Sequence, residues 1–412
     1  MEFHSHRLPN GLEIVAEVND EAHSTSMGFF VRTGSRDESD ELAGVSHFLE
    51  HMCFKGTPRR SADDVNREFD ELGAHYNAFT TEEHTVFYAA VLPEYQDQTT
   101  ALLADILHPM IRVEDFDTEK QVIVEEICMY EDMPPFGADD KCRAAFFGAH
   151  PLSHSVLGTV ESITKLSAEA MRDYVARHYG PGNVVLVATG RVDFDALVKV
   201  AEQICGTWPK VDAERAVPEF KPVDQFLVLE KRSATQQYAV ELAAAPSAED
   251  PERHAARLLA TIIGDELGSR LYWELVEPGL VEHASLSHGE YQDAGVLMTY
   301  LSCTPEAIED NLGRVRDIYK KAEQEGIGED ELRQAKNKVR SRVVLAGERP
   351  RGRLFMVGSD WISRREYRSV AEELDLLESI SLDEVNRVLR EYPLTKNTTI
   401  TVGPRTDVQP PK

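Results

Sequence analysis

The chain has 412 residues, 42% of them apolar and 28% charged, with a formal net charge of −28; this is ordinary globular composition, long enough for two or three domains. So acidic a chain excludes nucleic acid as a partner, because phosphate backbones attract basic faces. No segment approaches the ~18 uninterrupted apolar residues of a membrane span, and Met1 to Arg7 is polar, so neither membrane insertion nor secretion is expected and the predicted location is cytoplasmic.

The five cysteines (Cys53, Cys128, Cys142, Cys205, Cys303) are scattered and never form Cys-x-x-Cys. That argues against a disulfide framework and a Cys-rich zinc site, and most should be small buried hydrophobes. The acidic balance serves solubility first; an acidic chamber that attracts basic peptides is the sharper alternative.

In chain order, His4-Ser5-His6 puts two imidazoles on one strand face, but nothing nearby completes a metal site, so an exposed terminus is expected. Gly11 to Val18 and Ser24 to Thr33 read as strands, and Gly44 to Phe54 has helical periodicity. Ser61 with Asp64 opens a helix that Gly73 closes. Tyr76 to Val91 reads as a hairpin around Thr80 to Glu83. Helices follow over Tyr95–Leu107 and Val113–Asp132, the second stopped by Pro134-Pro135.

A helix–turn–strand unit then occurs twice. Ser167 leads through Pro181-Gly182-Asn183 into Val184–Gly190, and Ser381 leads through Pro393 and Asn397 into Thr398–Gly403. One repeat at that distance predicts two copies of a domain rather than a solenoid. Trp208 to Pro222, with three prolines, reads as the connection. The expected fold class is α+β: two homologous domains, residues 1–212 and 222–412, joined by a linker over 213–221.

The chemistry concentrates in His47-Phe48-Leu49-Glu50-His51. On a helix the two histidines lie one turn apart on one face, where both imidazoles can grip one cation, and Glu50 projects beside it. The spacing is that of a catalytic zinc motif, against a plain reading of two histidines on a wet face. An open catalytic zinc site needs one more protein ligand. The helix Val113–Asp132 offers Glu119 and Glu126, two turns apart, against the plain reading of a solvated acidic stripe.

Several runs occur together in this order: Leu8-Pro9-Asn10-Gly11-Leu12, Gly34-Ser35-Arg36-Asp37-Glu38, Gly44, His47–His51 with Met52, Phe54-Lys55-Gly56-Thr57, Asn77-Ala78-Phe79-Thr80 and Glu119 through Glu126. The set closely resembles the pitrilysin family of inverzincin metallopeptidases, above all its short, processing-peptidase-like members. It spans nearly the whole chain and is dense over residues 8–190. The resemblance implies that each domain is a mixed, mainly antiparallel sheet packed with helices. It implies one zinc ion on His47, His51 and Glu126, with Glu125 as the fallback ligand, and Glu50 as general base. Glu119 would orient a ligating imidazole, and Asn77, Ala78, Phe79 and Thr80 would bind substrate backbone by strand addition. Phe79 has the alternative of a plain hairpin residue.

The implied activity is a zinc endopeptidase in which Glu50 takes a proton from zinc-activated water and passes it to the leaving amine. The implied assembly is a homodimer, or a heterodimer with a related chain. The second half carries no zinc motif: the corresponding positions read Arg257-Leu258-Leu259-Ala260-Thr261. Active relatives also carry an Arg and a Tyr that reach the active site; the matching places here are Val276 and Glu282 or His283. His283, His288 or Tyr291 would replace them, or a partner chain would, or the chain is a weakly active scaffold subunit. Arg349-Pro350-Arg351-Gly352-Arg353 reads as a solvated basic loop rather than a substrate clamp.

Overall fold

The computed structural model describes residues 1–411, and the chain forms two compact units, each discontinuous in sequence. The first comprises Met1–Cys128, His154–Ala216 and Val344–Val370. The second comprises Met129–Ser153, Val217–Val343 and the chain from Ala371 onward.

The first half of the chain runs β1 (Glu2–Arg7), β2 (Glu13–Val18), β3 (Thr25–Val31), α1 (Val45–Cys53), α2 (Ala62–Glu71), β4 (His75–Thr80), β5 (Thr85–Val91), α3 (Gln96–Ile106), α4 (Val113–Asp132), α5 (Ala138–Phe147), α6 (Val160–Lys165), α7 (Ala168–His178), β6 (Val184–Gly190) and α8 (Phe194–Cys205). The second half runs β7 (Gln225–Glu230), β8 (Gln237–Ala245), α9 (Arg253–Gly264), β9 (His283–Tyr291), β10 (Ala294–Cys303), α10 (Ile308–Glu325), α11 (Glu329–Gly347), α12 (Pro350–Arg364), α13 (Val370–Ser379), α14 (Leu382–Glu391) and β11 (Asn397–Gly403).

Each unit is built on one mixed sheet, ordered β1-β2-β6-β3-β5-β4 in the first and β7-β11-β8-β10-β9 in the second. In each, one pair is parallel (β2 with β6, β7 with β11) and the rest are antiparallel. The repeated helix–strand units sit in equivalent places: β6 lies between β2 and β3, and β11 between β7 and β8. The chain is therefore an α+β protein with two architecturally repeated mixed sheets.

Capping chemistry sets several helix starts. The Ser61 hydroxyl accepts the Asp64 amide while the Asp64 carboxylate accepts the Ser61 amide, and Ser381 with Glu384 repeats the arrangement. All seven residues of β3 are buried, because both faces of its sheet are covered. Alternation divides them: Met27, Phe29 and Val31 enter the core beneath α1 and α3, and Phe30 enters a second cluster with Val15, Val86 and Val187.

That second cluster is closed by Leu354, Val357 and Ile362 of α12. The basic run expected to be a solvated loop is thus the start of a helix with one buried face, with Arg349 and Arg351 left exposed. Arg349 is its extended N-cap, Pro350 its first residue, and Arg353 is only 3% exposed. Arg353 donates through Nε to Glu17 Oε1 at 2.8 Å and through Nη2 to Glu17 Oε2, which also accepts from the Tyr367 hydroxyl. Gly358 admits the close approach: a Cβ there would fall 2.2 Å from the Phe30 ring.

In the second unit, Glu241 is buried in mid-sheet with Oε1 accepting from Thr399 at 3.3 Å and Oε2 without a hydrogen-bond partner among the described residues. Burial pushes its carboxyl up to about 7. In the unfolded chain it titrates near the ordinary value, so between about pH 4.5 and pH 7 only the folded state keeps the proton. Stability is expected to fall across that window as pH rises, by about 3 kcal/mol. Urea titrations from pH 5 to 8 should show this slope in the parent and not in Glu241→Gln; an unchanged slope in the variant would refute the assignment.

Candidate metal centre

The motif helix α1 starts at Gly44, which holds φ 88° and whose Cβ, were there one, would lie 2.6 Å from the Leu157 carbonyl. Only glycine fits there without strain. Glu38 fastens the same end, its two carboxylate oxygens accepting the Gly44 and Ser46 amides at 2.6 and 2.8 Å. Val45, Phe48, Leu49 and Met52 anchor the buried face, and His47, Glu50 and His51 are left toward α4 and β4.

Helical spacing brings the two imidazoles to a ring separation of 4.8 Å. Glu126 Oε2 lies 3.8 Å from His47 Nε2 and 3.7 Å from His51 Nε2, and one donor atom from each residue lies within 4.8 Å of the others. These separations are too long for hydrogen bonds. The two Glu126 separations lie within about 0.5 Å of the ~3.3 Å between neighbouring ligand atoms of a tetrahedral ion with ~2.05 Å bonds. Glu125, one residue away, is exposed and outside the group.

The environment prepares His47 as a neutral lone-pair donor and orients His51. Burial, reinforced by His51, pulls the His47 pKa down to about 4, so that ring is neutral at pH 7. Its Nδ1 is buried without a hydrogen-bond partner among the described residues, and Nε2 is the atom facing Glu126. His51 Nδ1 meets Glu119 Oε1 at 2.8 Å, fixing Nε2 on the Glu126 side. Burial would favour neutral His51, but the Glu119 hydrogen bond and the Glu126 charge outweigh it and raise its pKa. Glu119 is itself held by Lys55 Nζ at 2.6 Å, and despite burial these two partners lower its pKa. Lys55 was not singled out from the sequence, although His47, His51 and Lys55 share a spacing of four.

Glu50 sits outside the donor group. Its Oε2 accepts the Thr80 hydroxyl at 2.6 Å, and burial raises its pKa although this bond opposes the shift. Thr80 ends β4, the edge strand, on which Asn77 and Phe79 are exposed and Ala78 is buried. The hairpin tip after Thr80 is tied to the loop before α1: the Ser35 and Arg36 amides donate to the Thr81 and Glu82 carbonyls. Arg36 pairs with Glu83 at 2.6 Å, and Arg215 donates to both oxygens of Asp37 at 2.8 Å and to the Glu83 carbonyl. Arg215 gave no signal in the sequence, because its partners are far away in the chain.

The second-half positions differ. Arg257 to Thr261 lie on α9, and Arg257 pairs with Glu373 at 3.6 Å. His288 is engaged with the Pro246 carbonyl at 3.0 Å, and His283 with the Ser285 hydroxyl at 3.1 Å.

Residues 13–160 match the insulinase family, peptidase family M16, and residues 165–339 match the peptidase M16 inactive domain. An uncharacterized zinc protease of Mycobacterium tuberculosis is 33% identical over 404 residues, covering 96% of this chain and 92% of the relative. The chain belongs to peptidase family M16. Another M16 relative, the uncharacterized zinc protease YmxG of Bacillus subtilis, is 30% identical over 385 residues, covering 93% of each chain. Among solved structures, a protease from Helicobacter pylori superposes with a TM-score of 0.90 at 19% identity, covering 98% of this M16 chain and 99% of the other. A putative M16-like peptidase from Alicyclobacillus acidocaldarius gives 0.85 at 23% identity, covering 97% and 98%. No helix of the described residues is long and apolar enough to cross a membrane.

Proposed function

We propose that this M16 chain is a zinc endopeptidase of extended peptides, with zinc held by His47, His51 and Glu126. The observation that carries the reading is the three-donor group, beside which Glu50 stands without joining it. Two imidazoles and a carboxylate suit zinc and leave a position open. Zinc held there supplies Lewis acidity, which acidifies water and polarises a peptide carbonyl.

The remaining work falls to the chain's own side chains. Glu50, steadied by Thr80, accepts the proton of the attacking water and delivers it to the leaving amine. Glu119 holds His51 in the productive tautomer, and Lys55 holds Glu119. The edge of β4 at Asn77, Ala78 and Phe79 takes the substrate as an added strand. The Ala78 amide, which now donates to Asn77 Oδ1 at 2.9 Å, is one backbone group such a strand can claim.

Glu119→Gln is expected to weaken zinc binding about 10- to 100-fold in chelator competition. An unchanged affinity would remove Glu119 from the site.

A second reading is favoured by Val276, and Glu282 or His283, at the places of the missing Arg and Tyr: a weakly active subunit that works with a related chain. The working assembly we propose is a pair of chains, and the unpaired cysteines suit the cytoplasm. The deciding experiment incubates the purified chain alone with quenched fluorescent peptides, with and without a zinc chelator. Chelator-sensitive cleavage establishes the peptidase. Bound zinc without cleavage establishes the partner-dependent subunit.

A further inference from the structure

The start of α12 lies against the proposed peptide-binding edge and carries charge that the rest of the site does not use. Of its three arginines, Arg353 is buried and neutralised by Glu17. Arg349 and Arg351 are exposed, and neither pairs with a carboxylate among the described residues. Arg351 instead donates from Nη1 to Nδ1 of His75, the exposed first residue of β4, at 3.4 Å. In a chain of net charge −28, a guanidinium held by a neutral imidazole and without a carboxylate partner among the described residues places positive potential at one end of the edge strand.

Two periodicities come into register here. His75, Asn77 and Phe79 share one face of β4, since side chains alternate along a strand. Arg351 and Phe355 are one helical turn apart on α12. Phe355 packs against Phe79 at a ring separation of 5.7 Å and against Tyr88 at 4.9 Å, while Arg351 meets His75. The strand edge is therefore flanked by an aromatic floor at Phe79 and a basic step four residues away. Phe79 itself is 37% exposed.

We propose that this surface is an acidic-residue subsite: it favours extended peptides with Asp or Glu four positions along the added strand from the residue opposite Phe79. The inference rests on the peptidase reading and names part of its substrate class. A peptide added to β4 sends alternate side chains toward α12, so a residue at that spacing reaches Arg351 and His75 while the backbone pairs with the edge. The preference belongs to ground-state binding, since the subsite lies at the opposite end of β4 from Thr80, which holds Glu50.

The test uses two sets of labelled peptides that differ only in Glu, Gln or Lys at that position. Binding is read by anisotropy on full-length Glu50→Gln chain, and hydrolysis on the parent. An exposed guanidinium–carboxylate contact predicts about three- to fivefold tighter binding for Glu than for Lys, appearing in KM and not in kcat. Arg351→Glu is expected to reverse the order, and Arg351→Gln to level it. Equal binding of the three peptides, an unchanged order in Arg351→Glu, or no peptide binding at all would each overturn the subsite. The two readings separate cleanly. Cleavage without charge preference keeps the peptidase and discards the subsite, and charge-selective binding without cleavage keeps the subsite and discards self-sufficient catalysis.

Discussion

Glu50→Gln is expected to lower kcat for peptide hydrolysis by about 10³-fold while zinc remains bound. Glutamine keeps an oxygen that can accept the Thr80 hydroxyl, so the helix and the donor group should stay in place. What it loses is the ability to hold a proton between attack and departure of the amine. The chain's own chemistry makes this a demanding test, because His47, His51 and Glu126 are left intact and zinc content is measured alongside the rate. Loss of metal with activity would make Glu50 a fourth ligand, and a rate within tenfold of the parent would remove it as the base.

Arg353→Met should cost about 3–5 kcal/mol in urea unfolding, the largest stability effect we expect from one side chain. The substitution leaves Glu17, 1% exposed, with a charge facing the apolar cluster and, among the described residues, the Tyr367 hydroxyl as its remaining side-chain partner. The apolar double variant Glu17→Leu with Arg353→Met should recover much of the loss, since a matched apolar pair replaces a buried ion pair at little net cost. A loss below about 1 kcal/mol in the single variant would mean that water reaches Glu17.

Much of this architecture can be read locally. The ring spacing of His47 and His51 follows from helical periodicity, and the Ser61–Asp64 cap and the β4–β5 hairpin follow from patterns within a few residues. The repeated α7–β6 and α14–β11 units were visible for the same reason. What escaped depends on contacts between distant residues. The run from Arg349 to Arg353 combines Gly, Pro and three cations, a composition that suggests a loop. It is helical because Leu354, Val357 and Ile362 cover a sheet face made some 160 or more residues earlier, on Val15, Phe30, Val86 and Val187. Thr80 was expected to bind substrate backbone, and its hydroxyl is found on Glu50. The pairing of Lys55 with Glu119, and of Arg215 with Asp37, likewise needs the folded chain to exist.

The exchange of segments between the two units has a consequence for how the protein is made. Synthesis proceeds from the N-terminus at ~5–20 residues per second, and the first sheet is complete in sequence at Gly190. Its cover, α12, is not translated until residue 364, so the face bearing Phe30 and Val187 waits on the ribosome for roughly 10–30 seconds without its lid. A nascent chain in that state displays an apolar surface of the kind that holdase chaperones bind. Splitting the gene between the two halves would leave the first product permanently uncovered.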